Sequence, residues 1–330
     1  MKAKLIVFFI IYLFTFNSIF LFSSGKQEVE KLPDQRYRFY VVTHGGISDP
    51  FWGVVKKGAK EAGDMFDCDV IYLGPETFSI QKLVDMVETA IAGKPDGLVV
   101  TITDIQALDK PLRAAIDAGI PVVAINVPDP RDLAKRIPYL AYVGADDYSM
   151  GTEAAKRMLE EFKFNKPQRG VILVHEVGNA GLEARANGIT KIFMDMNIPV
   201  DKLAGFSNAS ENYQVMDAYL IKHPETDMVF TFGPLGADPV LKLIDDKNLT
   251  GKIKLGGIDL SISMIRAIRE GNMVFTVEQQ QFLQGYLPIG LLVLYNKYGV
   301  IPHDDILTGP EIVDIKNVDK VADMVNKRFR

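Results

Sequence analysis

Phe51 and Trp52 follow Asp49 by two and three residues, where an apolar run ends in a turn and the turn opens a basic segment. Aromatic faces beside a carboxylate suit a ring that is covered by C–H on its faces and polar at its rim. C–H patches pack on aromatic rings, while hydroxyls need paired donors and acceptors. Residues able to supply those pairs stand at the ends of other apolar runs. Asn126 closes Val122-Val123-Ala124-Ile125, Asp259 closes Leu255-Gly256-Gly257-Ile258, and Glu278, Gln279 and Gln280 follow Phe275-Thr276-Val277. Gly178 and Asn179 open the segment that carries Arg185, and His44 and His175 each follow an apolar run. Each residue alone has a structural alternative as a cap or a turn. Asp259 could cap the next helix, and Arg185 could pair with Glu183 or Asp195 on a solvated face. It is the set that points to a polyol or sugar ring.

The elements that would position these side chains can be read from the spacing. Tyr37, Phe39 and Val41 alternate with Arg38, Tyr40 and Val42 and predict a strand. His44, Gly45, Gly46, Ser48 and Asp49 are turn chemistry, with Asp49 as an N-cap and Pro50 at the first helical position. The pattern continues with strands at 70–73, 97–100, 120–125 and 139–143, and helices at 80–92 and 105–118. It then restarts. Helices are expected at 150–162, 181–196, 213–221, 239–244 and 262–268, and strands at 170–174, 203–206, 228–231, 254–257 and 273–277. Short apolar strands alternating with helices imply parallel sheets covered on both faces, so the chain reads as two similar α/β halves. In such sheets ligands bind beyond the carboxyl ends of the strands, where the polar set falls.

Composition narrows the function. The 330 residues leave room for two domains, and 48% apolar with 24% charged residues is a globular balance. A net charge of −5 argues against a nucleic-acid surface. Cys68, the one cysteine, excludes an internal disulfide and a multi-cysteine zinc site, and reads as a small buried hydrophobe. The sequence holds no G-x-x-x-x-G-K-[ST] loop, no G-x-G-x-x-G turn, and no G-x-S-x-G elbow to use His44-Gly45-Gly46 as an oxyanion loop. His44, His175, His223 and His303 are scattered without metal-ligand spacing, and His223 and His303 read as surface turn residues. No metal and no cofactor is expected, and a binding protein is the stronger reading over an enzyme.

The first 25 residues differ from the rest. Lys2 and Lys4 precede an apolar stretch, Leu5 to Phe22, and then Ser23-Ser24-Gly25. A basic start, an apolar core and small residues describe an export signal, expected over 1–25. The stretch is long enough that an uncleaved membrane anchor stays open. No cysteine follows it, so a lipid anchor is not expected.

With these residues in view, positions 36–316 resemble the type I periplasmic sugar-binding proteins of ABC transporters, the ribose-binding-like group. The resemblance rests on Asp49-Pro50-Phe51-Trp52, Lys94-Pro95-Asp96-Gly97-Leu98, Ala118-Gly119-Ile120-Pro121-Val122, Gly256-Gly257-Ile258-Asp259, and the run from Gln279 to Gln284-Gly285-Tyr286. It implies that Phe51 and Trp52 sandwich the sugar with Asp49 beside them. Asn126 would stand for a hydroxyl-binding acid, Arg185 would reach the sugar from the second domain, and Asp259 and Gln279 would grip hydroxyls. The chain departs from the ribose binders at Asn126-Val127, where they carry Asp-Arg, and at Gly233-Pro234, where they carry Asn-Asp. His44, Gly178 and Asn179 are placed to compensate, and Gln280 is counted with the ligand set.

The family fold further implies two lobes joined by a three-segment hinge near 144–147, 277–280 and 308–311. Residues 36–144 with 280–308 would form one lobe, and 145–279 with 309–330 the other. The function implied is capture of a monosaccharide or similar polyol in the periplasm and delivery to an ABC transporter permease, as a monomer with no nucleic-acid partner. Two alternatives stay open: a membrane-anchored sugar-sensing co-receptor for a histidine kinase, and an exported α/β enzyme. A repressor of the lac type shares the fold but begins with a DNA-binding helix-turn-helix, where this chain has an apolar segment.

Overall fold

Short runs of Val, Ile, Leu and Phe lose little by extending and gain by burying both faces, and here they build two predominantly parallel sheets. The computed structural model describes residues 36–45 and 49–330. The export segment expected at 1–25 and the turn residues Gly46 to Ser48 lie outside the described residues. Strands β1 (Arg38–Val42), β2 (Asp69–Leu73), β3 (Gly97–Val100), β4 (Val122–Ile125) and β5 (Tyr142–Gly144) form the first sheet. The second contains β6 (Gly170–Val174), β7 (Val200–Ala204), β8 (Met228–Phe232), β9 (Lys254–Ile258) and β10 (Phe275–Glu278). The last two strands are shared out. β11 (Ile306–Leu307) pairs with β5, and β12 (Glu311–Asp314) pairs antiparallel with β10. The spatial orders are β11-β5-β4-β3-β1-β2 and β12-β10-β9-β8-β6-β7, one plan used twice.

Helices cover both faces: α1 (Pro50–Phe66), α2 (Ile80–Ala92), α3 (Ile105–Asp117), α4 (Asp147–Leu159), α5 (Ala180–Asp195), α6 (Ala209–Lys222), α7 (Gly233–Asp246), α8 (Ile262–Glu270), α9 (Gln281–Tyr298) and α10 (Val318–Asn326). Along β1, Val41 packs with Val55, Val99 and Ile289, while Val42 packs on the other face with Leu83, Leu98 and Leu108. Each such aliphatic side chain stabilises the fold by roughly 1.5–3 kcal/mol through removal from water. Each half also contains one helix pair in backbone contact. A Cβ on Gly58 of α1 would meet Phe282 O of α9 at 2.2 Å, and one on Gly188 of α5 would meet Tyr148 O of α4 at 2.3 Å. Only glycine permits those crossings, which fix α1 and α5 over their sheets.

Several elements depart from the spacing: the helices expected at 150–162 and 213–221 run Asp147–Leu159 and Ala209–Lys222, and three others show a physical cause. The sequence places β7 at 203–206, but it runs Val200–Ala204. As a half-exposed edge strand it lacks a continuous apolar run, and pairing with β6 decides its register. The strand expected at 139–143 is β5 at Tyr142–Gly144, because the Tyr139 N–H is taken by Ile137 O in a local turn at 2.8 Å. The helix expected from Pro239 begins at Gly233. Pro239 has no N–H for the carbonyl of Leu235, and Asn212 Nδ2 donates to that carbonyl at 3.0 Å instead. The chain passes between the sheets three times: after β5, between β10 and α9, and between β11 and β12. Among the described residues no helix is long and apolar enough to cross a membrane.

Candidate ligand-binding site

The carboxyl ends of both sheets meet around one narrow cleft lined from both halves, the place where α/β sheets bind ligands. From the first half, the turn after β1 supplies His44, whose backbone N–H donates to Thr101 Oγ1 at 3.1 Å. Asp49 caps α1 by accepting from Phe51 N at 3.0 Å. That cap sets Phe51 and Trp52 on the first turn, edge to face with centroids 4.8 Å apart and only 4% and 5% exposed. The Trp52 ring also meets His44 edge-on at 4.7 Å. It lies so close to the β1 turn that a Cβ on Gly45 would fall 1.4 Å from Trp52 Nε1. At the end of β4, Asn126 adopts a left-handed φ of 62°, and its Nδ2 donates toward Gln279 Oε1 and Gln284 Oε1, each at 3.2 Å.

From the second half, the loop after β6 contributes His175, Glu176 and Asn179. Asn179 caps α5, its Oδ1 accepting from Gly181 N and Leu182 N, while its Nδ2 donates to Glu176 Oε2 at 2.8 Å. Arg185 projects from the next turn. Its Nε donates to Asp147 Oδ1 at 2.7 Å, and Nη1 stands 3.8 Å from Asp259 Oδ2. Asp259, with a left-handed φ of 71°, accepts from Gln279 Nε2 at 2.7 Å. Gly233, at the start of α7, closes the floor. The halves touch directly: Ala180 N donates to Thr103 O at 3.2 Å, and Asn179 Nδ2 lies 3.1 Å from His44 Nε2.

Burial sets the charges. It depresses His44 to about 3, assisted by Arg185 and His175, and depresses His175 to about 4, so both rings are neutral. Burial raises Asp49 to about 7 and Glu176 to about 8. Asp147 and Asp259 are also raised by burial, with Arg185 pulling each back. Burial works against the charge on Arg185, but Asp147 and Asp259 outweigh it and hold the guanidinium above its ordinary value. Arg185 thus keeps its charge with Asp147 and Asp259 as its partners.

Of the residues named from sequence, His44, Asp49, Phe51, Trp52, Asn126, Asn179, Arg185, Asp259 and Gln279 line this cleft. Gln280 does not. Its Nε2 instead donates to Thr308 O at 2.9 Å, tying two crossings together. Two structural alternatives are set aside. Ser261, not Asp259, caps α8, and Glu183 and Asp195 pair with Lys202 and Lys191 rather than with Arg185. For Asn179 both readings hold, since it caps and lines. The reading from sequence left out Glu176 and Asp147. Glu176 is the second residue after β6, beside His175, so the strand-end logic could have found it. Asp147 begins a helix, and only tertiary packing brings it to Arg185. Among the described residues no group of three or more His, Cys, Asp or Glu could hold a metal ion.

Residues 39–297 match the family described as periplasmic binding protein domain. The xylose/arabinose-binding protein of Sulfolobus acidocaldarius is 29% identical over 258 residues, covering 75% of this chain and 63% of that protein's own length. Among solved structures, the periplasmic sugar-binding protein of an ABC sugar transporter from Legionella pneumophila superposes with a TM-score of 0.77 at 30% identity, covering 83% of this chain and 100% of that one. A carbohydrate transporter protein from Acidothermus cellulolyticus, in complex with myo-inositol, gives a TM-score of 0.82 at 26% identity, covering 90% and 100%.

Proposed function

The chain belongs to the periplasmic binding protein domain family, and we propose that it captures a monosaccharide or similar polyol between two closing lobes and delivers it to an ABC importer. The observation that carries this reading is the charge and composition of the cleft. Arg185 is already balanced by Asp147 and Asp259, His44 and His175 are neutral, and Phe51 and Trp52 offer aromatic surface. An uncharged ring rich in hydroxyls fits such a lining, because it brings donors and acceptors without a charge to desolvate. The sugars named for one related protein and the cyclic polyol named for another support the same class.

The lobes in this reading are 36–144 with 280–308, and 145–279 with 309–330, moving about the three crossings. Ligand stabilises the closed form because only that form offers contacts from both sides. The protein acts as a monomer outside the cytoplasm, and its closed surface is what a permease recognises. Its role is to bind and hand over, without chemical conversion of the ligand.

A thermal-shift panel of xylose, arabinose, ribose, glucose and myo-inositol tests this. A ligand that binds only the folded state stabilises it by about 2.7 kcal/mol at a hundredfold excess over its Kd. One sugar is expected to give a large shift that Trp52→Ala abolishes. Silence across the panel, from protein freed of co-purified ligand, would remove simple sugars from consideration.

A further inference from the structure

We propose that His44 recognises the ligand as a hydrogen-bond donor through Nδ1–H, in a tautomer imposed from across the cleft by Asn179. The proposal rests on the sugar-binding reading and adds the role and the polarity of one contact.

The argument begins at a helix cap. Asn179 Oδ1 accepts from Gly181 N at 3.0 Å and from Leu182 N at 3.4 Å, so the amide oxygen faces the backbone of α5 and the NH2 group faces away. One of its hydrogens goes to Glu176 Oε2 at 2.8 Å. The other faces His44 Nε2 at 3.1 Å. Two N–H groups cannot point at each other at that distance, so Nε2 must offer its lone pair. In a neutral imidazole the hydrogen then lies on Nδ1. His44 is neutral for the same reason among others: an imidazolium would set N–H against N–H, and burial with the nearby Arg185 and His175 already depresses it to about 3. Glu176, 3.5 Å from Nε2, has its carboxyl raised to about 8 and offers no competing charge near neutrality.

His44 Nδ1 is buried without a partner on a ring that lines the cleft. An orphaned buried donor is rare and calls for an acceptor. A ligand oxygen, from a hydroxyl or the ring, supplies one. Because His44 follows β1 and Asn179 caps α5, the tautomer is imposed only when the two halves meet. Closure therefore sets the polarity of a contact that the ligand then uses.

Long-range ¹H–¹⁵N correlation on protein labelled at its histidines reads the tautomer directly, with His44 assigned by the signal missing in His44→Asn. The ligand is whichever of xylose, arabinose, ribose, glucose or myo-inositol gives the largest thermal shift. In that complex His44 is expected to carry its proton on Nδ1. Asn179→Asp can still cap α5 but turns an acceptor toward Nε2. It should move the proton to Nε2 and weaken binding about ten- to hundredfold. His44→Asn, which keeps an N–H near the Nδ1 position, should lose less affinity than His44→Leu. A wild-type His44 protonated on Nε2 or on both nitrogens overturns the proposal. So does an Asn179→Asp variant with unchanged tautomer and affinity. Tight sugar binding alongside either result leaves the receptor reading intact, whereas a protein that binds none of the panel overturns that reading and the ligand contact with it.

Discussion

Arg185 donates through Nε to Asp147 Oδ1 at 2.7 Å, with the two side chains only 4% and 5% exposed. Arg185 lies on α5 and Asp147 on α4, the helices whose backbones touch at Gly188, so the pair is set by a helix crossing rather than by flexible reach. A buried pair of this kind is sensitive to loss of one partner.

Removing the Asp147 carboxylate takes away the hydrogen-bonded partner of the guanidinium and leaves it only Asp259, at 3.8 Å, in a closed site. Asp147→Ala should cost about 3–5 kcal/mol in ligand-free protein, read from urea unfolding with an unchanged m-value. The double variant Asp147→Leu with Arg185→Met should regain most of that stability and still lose ligand affinity. If the single variant unfolds like wild type, the pair is not the constraint described.

Trp52 is the one tryptophan in the chain, so its fluorescence reports the site alone. Gly45→Ala would drive a methyl group to within 1.4 Å of Trp52 Nε1 in the present arrangement, and the ring must move. Its emission is expected to shift to the red and sugar affinity to fall at least tenfold. An unchanged spectrum would show that the turn, rather than the ring, gives way.

Stability should depend on pH with a sign set by each group. Glu176 is raised from 4.5 to about 8 in the folded protein, so between those values the folded state holds a proton that the unfolded state has lost. Stability therefore falls as pH rises through that window. Asp49 acts the same way from 3.8 to about 7. His44 and His175 act oppositely, losing stability as pH falls below 6.5 toward 3 and 4. Above pH 6.5 only the carboxyl effect remains. The melting temperature should decline from pH 6.5 to 8, and Glu176→Gln should flatten that decline; parallel curves for both proteins would contradict the assignment.

Gln284 is fully buried, with Nε2 near Gln279 Oε1 at 2.9 Å and Thr308 Oγ1 at 3.2 Å, while its Oε1 accepts from Asn126. It joins a site residue to two of the crossings. Gln284→Leu should destabilise by about 1–3 kcal/mol by orphaning those partners. It should also speed hydrogen exchange at the amides of Gln279 to Gln281. Exchange unchanged there would place the hinge elsewhere.

What local spacing alone determined was the element order and the chemistry at strand ends. Continuous apolar runs such as Leu98–Val100 and Val171–Val174 can be buried only on both faces, and polar residues directly after them have nowhere to go but the sheet edge. Asp49, with Pro50 after it, predicted its own cap. Elements without such runs were less legible: β7 is an edge strand, and the length of α7 depends on Asn212 accepting the role that Pro239 abandons. Only the tertiary structure decided which candidates share a cleft. Asp147 and Arg185 are 38 residues apart, and His44 and Asn179 are 135 apart. No local periodicity links such positions, because their meeting depends on helix crossings at glycines and on three passages of the chain between sheets. The same geometry keeps Gln280 out of the cleft lining, where a hydrogen bond to the Thr308 carbonyl takes up a side chain of suitable chemistry.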